Sequence, residues 1–337
     1  MAINTWKGKH GPLLIAEIGG NHEGNFEYAK ALTRLAIESN VDYVKFQLYQ
    51  GDTLVSSLES PDRNKHFKKF ELSKEQYIEL AELCQGANVG FLASVWDFDY
   101  ISWIDPYMDF YKIGSGDLTA YPVLKKTVQL QKPILLSTGL STQEEVMEAV
   151  GYIQNLDQRY ESPEFLAILQ CTSMYPIPND CAHLNVMKSF RTMTSLPVGY
   201  SDHTEGSGAL EIAVAMGAQI LEFHFTDSRE GKTFRDHKVS LTKDEVQGLI
   251  KKIKVINNLA GSYVKKPLEV EGDHVVTFRR ACYPRVEIKA GEIITEENLT
   301  VLRPNHGIDA RDYSKILGKK AVRNLSKHQK LTWEDFA

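Results

Sequence analysis

Eight short, mostly apolar runs recur along the first 223 residues of this chain, at 13–16, 43–46, 91–94, 110–113, 134–137, 166–169, 197–200 and 220–223. Longer amphipathic or small-residue stretches lie between and after them, among them 28–39, 74–85, 142–155, 206–217 and 242–259. Runs of this length, flanked by helical periodicity, read as strands of a parallel sheet whose crossovers are helices. Eight such units over about 260 residues match a closed (β/α)8 barrel (TIM barrel) better than an open sheet. A doubly wound open sheet is the alternative that the pattern leaves standing.

The pattern changes after the last long helix. Residues 262–274 have linker character, with Lys265-Lys266-Pro267 and several acids. Beyond them, 279–288 reads as a strand, Ala290-Gly291-Glu292 as a turn and 295–298 as a capped short helix. The organisation expected is a barrel over 1–262, a linker over 263–277 and a small appended domain over 278–337.

Composition removes several function classes. The formal net charge of −5 disfavours a nucleic-acid partner. No run of about 18 apolar residues is present, so no membrane span is expected. The first residues lack the apolar core of a signal peptide. Cys84, Cys171, Cys181 and Cys282 are scattered without metal or disulfide spacing, which fits a reducing cytoplasm.

In a barrel the active site lies at the carboxyl ends of the strands. The polar residues cluster there: Glu17, Asn21 and His22; Lys45 and Gln47; Ser94; Lys112, Ser115 and Asp117; Ser137 and Thr138; Thr172, Ser173 and Tyr175; Ser201, Asp202 and His203; Glu222 and His224. Taken one at a time, each is equally well a strand cap or a turn residue. His203 and His224 end neighbouring strands and make a plausible divalent-metal pair, against the plain alternative of two histidines with no ligand role. Lys45 and Lys112 interrupt apolar strands, where an unpaired ammonium is costly. With the surrounding serines they suit a phosphate. One lysine acting as a Schiff-base nucleophile is the competing chemistry. Asp236, in the loop after the last strand, adds a carboxylate or is a salt-bridged loop acid.

Ile15-Ala16-Glu17-Ile18-Gly19-Gly20-Asn21-His22-Glu23-Gly24, Val44-Lys45-Phe46-Gln47, Tyr111-Lys112-Ile113-Gly114-Ser115-Gly116 and Leu136-Ser137-Thr138-Gly139 resemble the sialic acid synthase (N-acetylneuraminate synthase) family. Cys171-Thr172-Ser173-Met174-Tyr175-Pro176-Ile177-Pro178, Gly199-Tyr200-Ser201-Asp202-His203-Thr204 and Glu222-Phe223-His224-Phe225 extend the likeness in the expected order. Val301-Leu302-Arg303-Pro304 and Leu317-Gly318-Lys319 resemble that family's antifreeze-like (SAF, β-clip) domain.

The resemblance implies condensation of phosphoenolpyruvate with an N-acylated amino sugar, such as N-acetylmannosamine, to a nine-carbon 2-keto-3-deoxy acid with release of phosphate. It implies a divalent metal, Mn2+ or Mg2+, on His203 and His224. It implies phosphoenolpyruvate on Lys45, Lys112, Ser115, Ser137, Ser173 and Ser201, with Ser94 also in the substrate site. Gln47, Tyr175 and Asp236 would contact the sugar, and Glu17, Glu222 and Asp117 would carry catalysis. It also implies a domain-swapped homodimer in which Arg303 of the appended domain meets the N-acyl group. The chain departs from the family pattern at Phe223, Val95-Trp96, Asp117 and Phe234-Arg235. These departures are expected on the sugar side, and they leave the acceptor open. A Schiff-base aldolase of such sugars and a non-catalytic sugar-binding relative are the rival functions.

Overall fold

The computed structural model describes residues 5–337. They form two compact units, one ending at Gly261 and one spanning Ser262–Ala337.

The first unit is built on eight parallel strands: β1 (Gly11–Glu17), β2 (Tyr43–Leu48), β3 (Gly90–Val95), β4 (Tyr111–Ile113), β5 (Ile134–Ser137), β6 (Leu166–Cys171), β7 (Val198–Asp202) and β8 (Ile220–His224). Their order is β3-β2-β1-β8-β7-β6-β5-β4. The pairing of β1 with β8, from Leu13 opposite Ile220 to Glu17 opposite His224, is what an open doubly wound sheet lacks. Between β3 and β4 there is only a single parallel bridge, Phe91 with Met108. The barrel is therefore nearly closed, and its thinnest seam lies beside its shortest strand.

The crossovers carry α1 (Phe26–Glu38), α2 (Lys74–Gly86), α3 (Ile101–Ile104), α4 (Tyr121–Val128), α5 (Gln143–Leu156), α6 (Val186–Thr194), α7 (Gly208–Ala215) and, after β8, α8 (Lys243–Ala260). Local chemistry sets their starts. The Asn25 side chain accepts from the Tyr28 N–H at α1. Ser73 with Gln76 and Thr142 with Glu145 form reciprocal capping boxes at α2 and α5. On α5 the buried positions are Val146, Ala149, Val150 and Ile153, the helical spacing that lays one face on the strands.

The strands are buried on both faces. Leu14, Ile15 and Ala16 are all sealed from solvent, so consecutive residues are apolar. At the amino end of the barrel, Lys7–Gly8 pairs antiparallel with the start of β1. Trp6 there packs edge-on to Phe110 at 5.2 Å. At the carboxyl end the loops after β1 and β8 are tied together. Asn21 Nδ2 donates to the Phe225 carbonyl (2.9 Å) and to Ser240 Oγ (2.8 Å). Ser240 Oγ in turn donates to the Asp236 carbonyl at 2.7 Å.

The second unit pairs β9 (Ala281–Pro284) antiparallel with β10 (Leu299–Leu302). Its own core gathers Cys282, Ile288, Ile294, Leu299, Ile308, Ile316, Ala321, Leu325, Leu331 and Phe336. The helix expected at 295–298 is a single turn. Asn298 explains this: its side chain accepts from the Thr295 N–H and donates to the Ile293 carbonyl, closing the loop before a second turn forms. The strand expected over 279–288 keeps its ladder only over Ala281–Pro284, and Ile288 makes an isolated bridge to Leu325. Among the described residues no helix is long and apolar enough to cross a membrane, and all four cysteines are free.

Gly199 lets β7 pack tightly between its neighbours β6 and β8. A Cβ there would stand 2.3 Å from the Ile220 carbonyl oxygen and 2.6 Å from a Leu169 methyl. Backbone cannot yield as a flexible side chain does. Gly199→Ala is expected to lower unfolding stability by about 1–3 kcal/mol, measured as a drop in the denaturant midpoint at unchanged slope.

Candidate active site

The strand ends deliver four charged side chains to one buried cluster. Glu17 ends β1, Lys45 lies opposite it on β2, Lys112 is the middle residue of β4, and Glu222 lies on β8. Lys45 Nζ donates to Glu17 Oε2 at 2.5 Å and lies 3.8 Å from Glu222 Oε2. Lys112 Nζ lies 3.4 Å from Glu222 Oε1 and donates to Ser137 Oγ at 2.7 Å. Gln47 Nε2 donates to Glu17 Oε1 at 2.8 Å, and Ser201 Oγ donates to Glu222 Oε1 at 3.0 Å. All four charged side chains are at most 8 % exposed.

Burial disfavours every one of these charges, and the neighbours decide which survives. For Glu17 burial dominates. Its carboxyl is pushed above the ordinary value, although Lys45 pulls it down, and the Glu222 charge adds to the rise. For Glu222 burial is outweighed by Lys112, Lys45 and the Ser201 hydroxyl, and the carboxyl lies below the ordinary range. Lys112 is lowered, chiefly by burial, with Glu222 opposing. Lys45 is raised despite its burial, because Glu17 and Glu222 both face it. Two carboxylates with opposite shifts are suited to different tasks: Glu17 to exchanging a proton, Glu222 to remaining charged.

On the β4–β6 side the serines surround Gly139. Its N–H donates to Ser115 Oγ at 3.0 Å. A Cβ on it would stand 2.3 Å from Ser173 Oγ and 2.8 Å from Ser115 Oγ. With Ser137 bonded to Lys112, these residues form a hydroxyl-lined recess beside an ammonium.

On the β7–β8 side the His203 and His224 rings lie 5.3 Å apart between centroids. Tyr175 packs against both, at 4.0 and 5.5 Å. His203 Nδ1 donates to the Thr172 carbonyl at 2.7 Å, which leaves Nε2 as its free lone pair. His224 is pushed well below the ordinary imidazole value by burial and by the charges of His203 and Lys45, and so is neutral. Its buried Nδ1 has no hydrogen-bond partner among the described residues. His203, by contrast, is raised despite its burial, which Cys171 and the Thr172 carbonyl outweigh; once it has released its extra proton, the two imidazole nitrogens suit a divalent transition metal. Among the described residues no cluster of three His, Cys, Asp or Glu side chains forms, so water and substrate oxygen would complete the coordination.

The remaining expected residues are spread over both units. Ser94 is buried at the end of β3 opposite Gln47. Asp236 is buried 4.0 Å from His224 Nδ1, with Arg235 Nε donating to its Oδ1 at 3.1 Å. Asp117 feels the Lys112 charge and accepts from Trp96 Nε1 at 2.7 Å, so two of the departures from the family pattern are partners of each other. Arg303 belongs to the second unit, where its guanidinium lies 5.5 Å from the Phe278 ring. Asn21 and His22 are architectural. Asn21 ties two loops, and His22, pushed down to about 4 by burial, accepts from the Gly24 N–H.

One expectation is overturned. Phe223 is not on the sugar side. Side chains alternate along a strand, and Glu222 and His224 both point inward. Phe223 therefore points out, 2 % exposed within the apolar core and paired in register with Asp202. The sequence reading also passed over Cys171, whose Sγ lies 3.8 Å from His203 Nδ1. Its place at the inward end of β6 was the available signal.

Known proteins resemble this chain along most of its length. The model of the NeuB family matches residues 32–265, and that of the SAF domain matches 279–337. The N,N'-diacetyllegionaminic acid synthase of Campylobacter jejuni is 33% identical over 94% of this chain and 98% of its own. The N-acetylneuraminate-9-phosphate synthase of Mus musculus is 31% identical over 94% and 90%. The crystal structure of the N-acetylneuraminic acid synthetase of Leptospira borgpetersenii, a citrate complex, is similar with a TM-score of 0.72 at 26% identity, over 78% of this chain and 90% of that one. This chain belongs to the NeuB family of sialic-acid-like sugar synthases, with a SAF domain following its barrel.

Proposed function

We propose that this protein condenses phosphoenolpyruvate with an N-acylated amino sugar, giving a nine-carbon 2-keto-3-deoxy acid and phosphate. The observation that carries the reading is the lysine pair embedded in serines next to two carboxylates of opposite pKa shift. Lys112, Ser115, Ser137 and Ser173 hold the phosphate, and Lys45 faces the carboxylate end of the same substrate. The acceptor aldehyde lies toward His203 and His224, with Tyr175 and Asp236 beside it. A divalent cation on the two imidazoles would polarise that aldehyde as a Lewis acid.

The bond-forming step joins C3 of phosphoenolpyruvate to the aldehyde carbon, whose oxygen becomes a hydroxyl. Positive charge develops at C2, where Glu222, held ionised by both lysines, offsets it. Water adds at C2, and Glu17 takes its proton. The C2–O bond to phosphate then breaks, the keto group forms, and Lys112 with its serines receives the leaving phosphate. The resemblance assigns Arg303 to the N-acyl group and implies a homodimer, which light scattering tests directly. The enzyme is expected to work in the cytoplasm, where phosphoenolpyruvate is available.

Phosphate release is expected only when phosphoenolpyruvate and an amino sugar are both present, in a screen of N-acetylmannosamine and diacetamido hexoses with added Mn2+. Borohydride trapping of a lysine with pyruvate would replace this reading with a Schiff-base aldolase. Glu17→Gln is expected to lower kcat by about 10²–10⁴-fold. It should also remove the acidic limb of the kcat–pH profile, a limb that lies above the ordinary carboxyl range because burial raises Glu17. At alkaline pH, kcat/KM for phosphoenolpyruvate is expected to fall below the ordinary lysine value, since the lowered Lys112 loses its charge early. His224→Ala is expected to abolish phosphate release and lower Mn2+ content after dialysis, with an unchanged circular dichroism spectrum. Full activity in that variant at unchanged metal content would remove the histidine pair from the site.

A further inference from the structure

Arg235 is fixed at the mouth of the barrel by contacts on two sides. Its Nε donates to Asp236 Oδ1 at 3.1 Å. Its Cζ lies 4.7 Å from the Tyr175 ring, the ring that packs against both histidines. Its neighbour Phe234 anchors the segment, packing 4.9 Å from Phe70 and 5.9 Å from His66. The same Phe234 ring lies over Gly20, where a Cβ would meet it at 3.1 Å. Below, Ser240 Oγ holds the Asp236 carbonyl, and Asn21 holds Ser240. A long, two-thirds exposed side chain is thus held in place without using its terminal nitrogens, which make no hydrogen bond to the described residues. Asp236 Oδ2 likewise accepts none from them; it lies 4.0 Å from His224 Nδ1.

The pair therefore presents free donors and a free acceptor side by side, and its formal charge sums to zero. A phosphate or carboxylate on the acceptor would meet the Asp236 carboxylate as well as the guanidinium, and the two would cancel. A neutral group with one acceptor and one donor at matching spacing fits without that conflict. An amide is such a group.

We propose that Arg235 and Asp236 together read an acylamino group of the acceptor sugar, the guanidinium donating to its carbonyl oxygen and the carboxylate accepting from its N–H. This rests on the synthase reading above and adds a specificity-determining residue, Arg235, to it. Asp236 lies beside His224, and the guanidinium stacks on the Tyr175 ring that packs against both histidines. The pair therefore belongs to the acceptor side of the proposed site, and phosphoenolpyruvate, placed among the lysines and serines, is untouched by it. Sites built to hydrogen-bond a polar group reject analogues that lack it, because their own polar groups are then left unpaired.

The test compares wild type, Arg235→Ala and Arg235→Lys by phosphate release with phosphoenolpyruvate and Mn2+. N-acetylmannosamine, or a diacetamido hexose if that is the sugar turned over, is set against the same sugar with a hydroxyl in place of the acylamino group. The hydroxyl analogue is followed as a substrate, or as a competitive inhibitor where it does not react. Arg235→Ala is expected to cut the preference for the acylated sugar by roughly tenfold, the loss of one hydrogen bond of about 1.4 kcal/mol. The KM for phosphoenolpyruvate should stay unchanged, and Arg235→Lys should restore part of the preference. Equal losses for both sugars would make Arg235 a merely structural residue and overturn the proposal. So would a preserved preference, or a selective loss of activity on N-acetylmannosamine 6-phosphate, which would make the guanidinium an anion site. No phosphate release by the wild type with any acylated sugar would instead remove the synthase reading, and this inference with it.

Discussion

Two lysines and two glutamates share the buried end of the barrel, and the rest of the site is arranged to make that tolerable. Each ion taken alone would lose several kcal/mol of hydration. The four charges sum to zero, and each lysine touches a carboxylate. Gln47 and Ser201 each donate to a carboxylate oxygen, and Ser137 accepts from Lys112. Glu222 Oε2 is the exception: it is sealed from solvent with no hydrogen-bond donor among the described residues, and the Lys45 charge lies 3.8 Å away. A cluster balanced in this way has a use beyond cohesion. An anionic substrate entering it meets lysines already in place, and the carboxyl whose pKa is already raised, Glu17, is the one able to absorb a proton as charge moves.

Most of the fold was legible in the sequence because the barrel strands are short, apolar and separated by strongly periodic helices. The run 134–137 coincides with β5, and the other runs differ from their strands by one or two residues at an end. Those differences are physical. β6 continues through Gln170 and Cys171, and β8 through His224, because a strand facing the site ends in polar residues that an apolar pattern excludes. The second unit was less legible. Its connections are set by single side-chain bonds such as those of Asn298, which carry no periodicity.

The site divides along the same line. Residues that interrupt apolar strands stood out, since Lys45, Lys112 and Glu222 have no business in a core unless they act together. Residues contributed by loops stood out less, although Tyr175 and Asp236 were among those singled out. Trp96 and Arg235 were visible only as departures from a family pattern. That Trp96 bonds Asp117, and that Arg235 bridges Tyr175 and Asp236, depends on how distant loops fold over one another.

Phe223 shows how far a sequence departure can mislead about where specificity lies. Flanked by Glu222 and His224, it has the most suggestive position in the chain, yet the period of a strand places it in the layer between sheet and helices. Its register partner Asp202 is satisfied entirely by neutral donors: the Tyr200 hydroxyl, the Thr204 N–H and the Thr204 hydroxyl. An aromatic ring beside that carboxylate needs no counter-ion because three hydrogen bonds already serve it. On the proposed reading, acceptor choice falls to the other departures, Trp96 bonded to Asp117 and Arg235 bonded to Asp236. The barrel interior fixes the chemistry, which any member of such a family must keep, while the loops above it are free to differ.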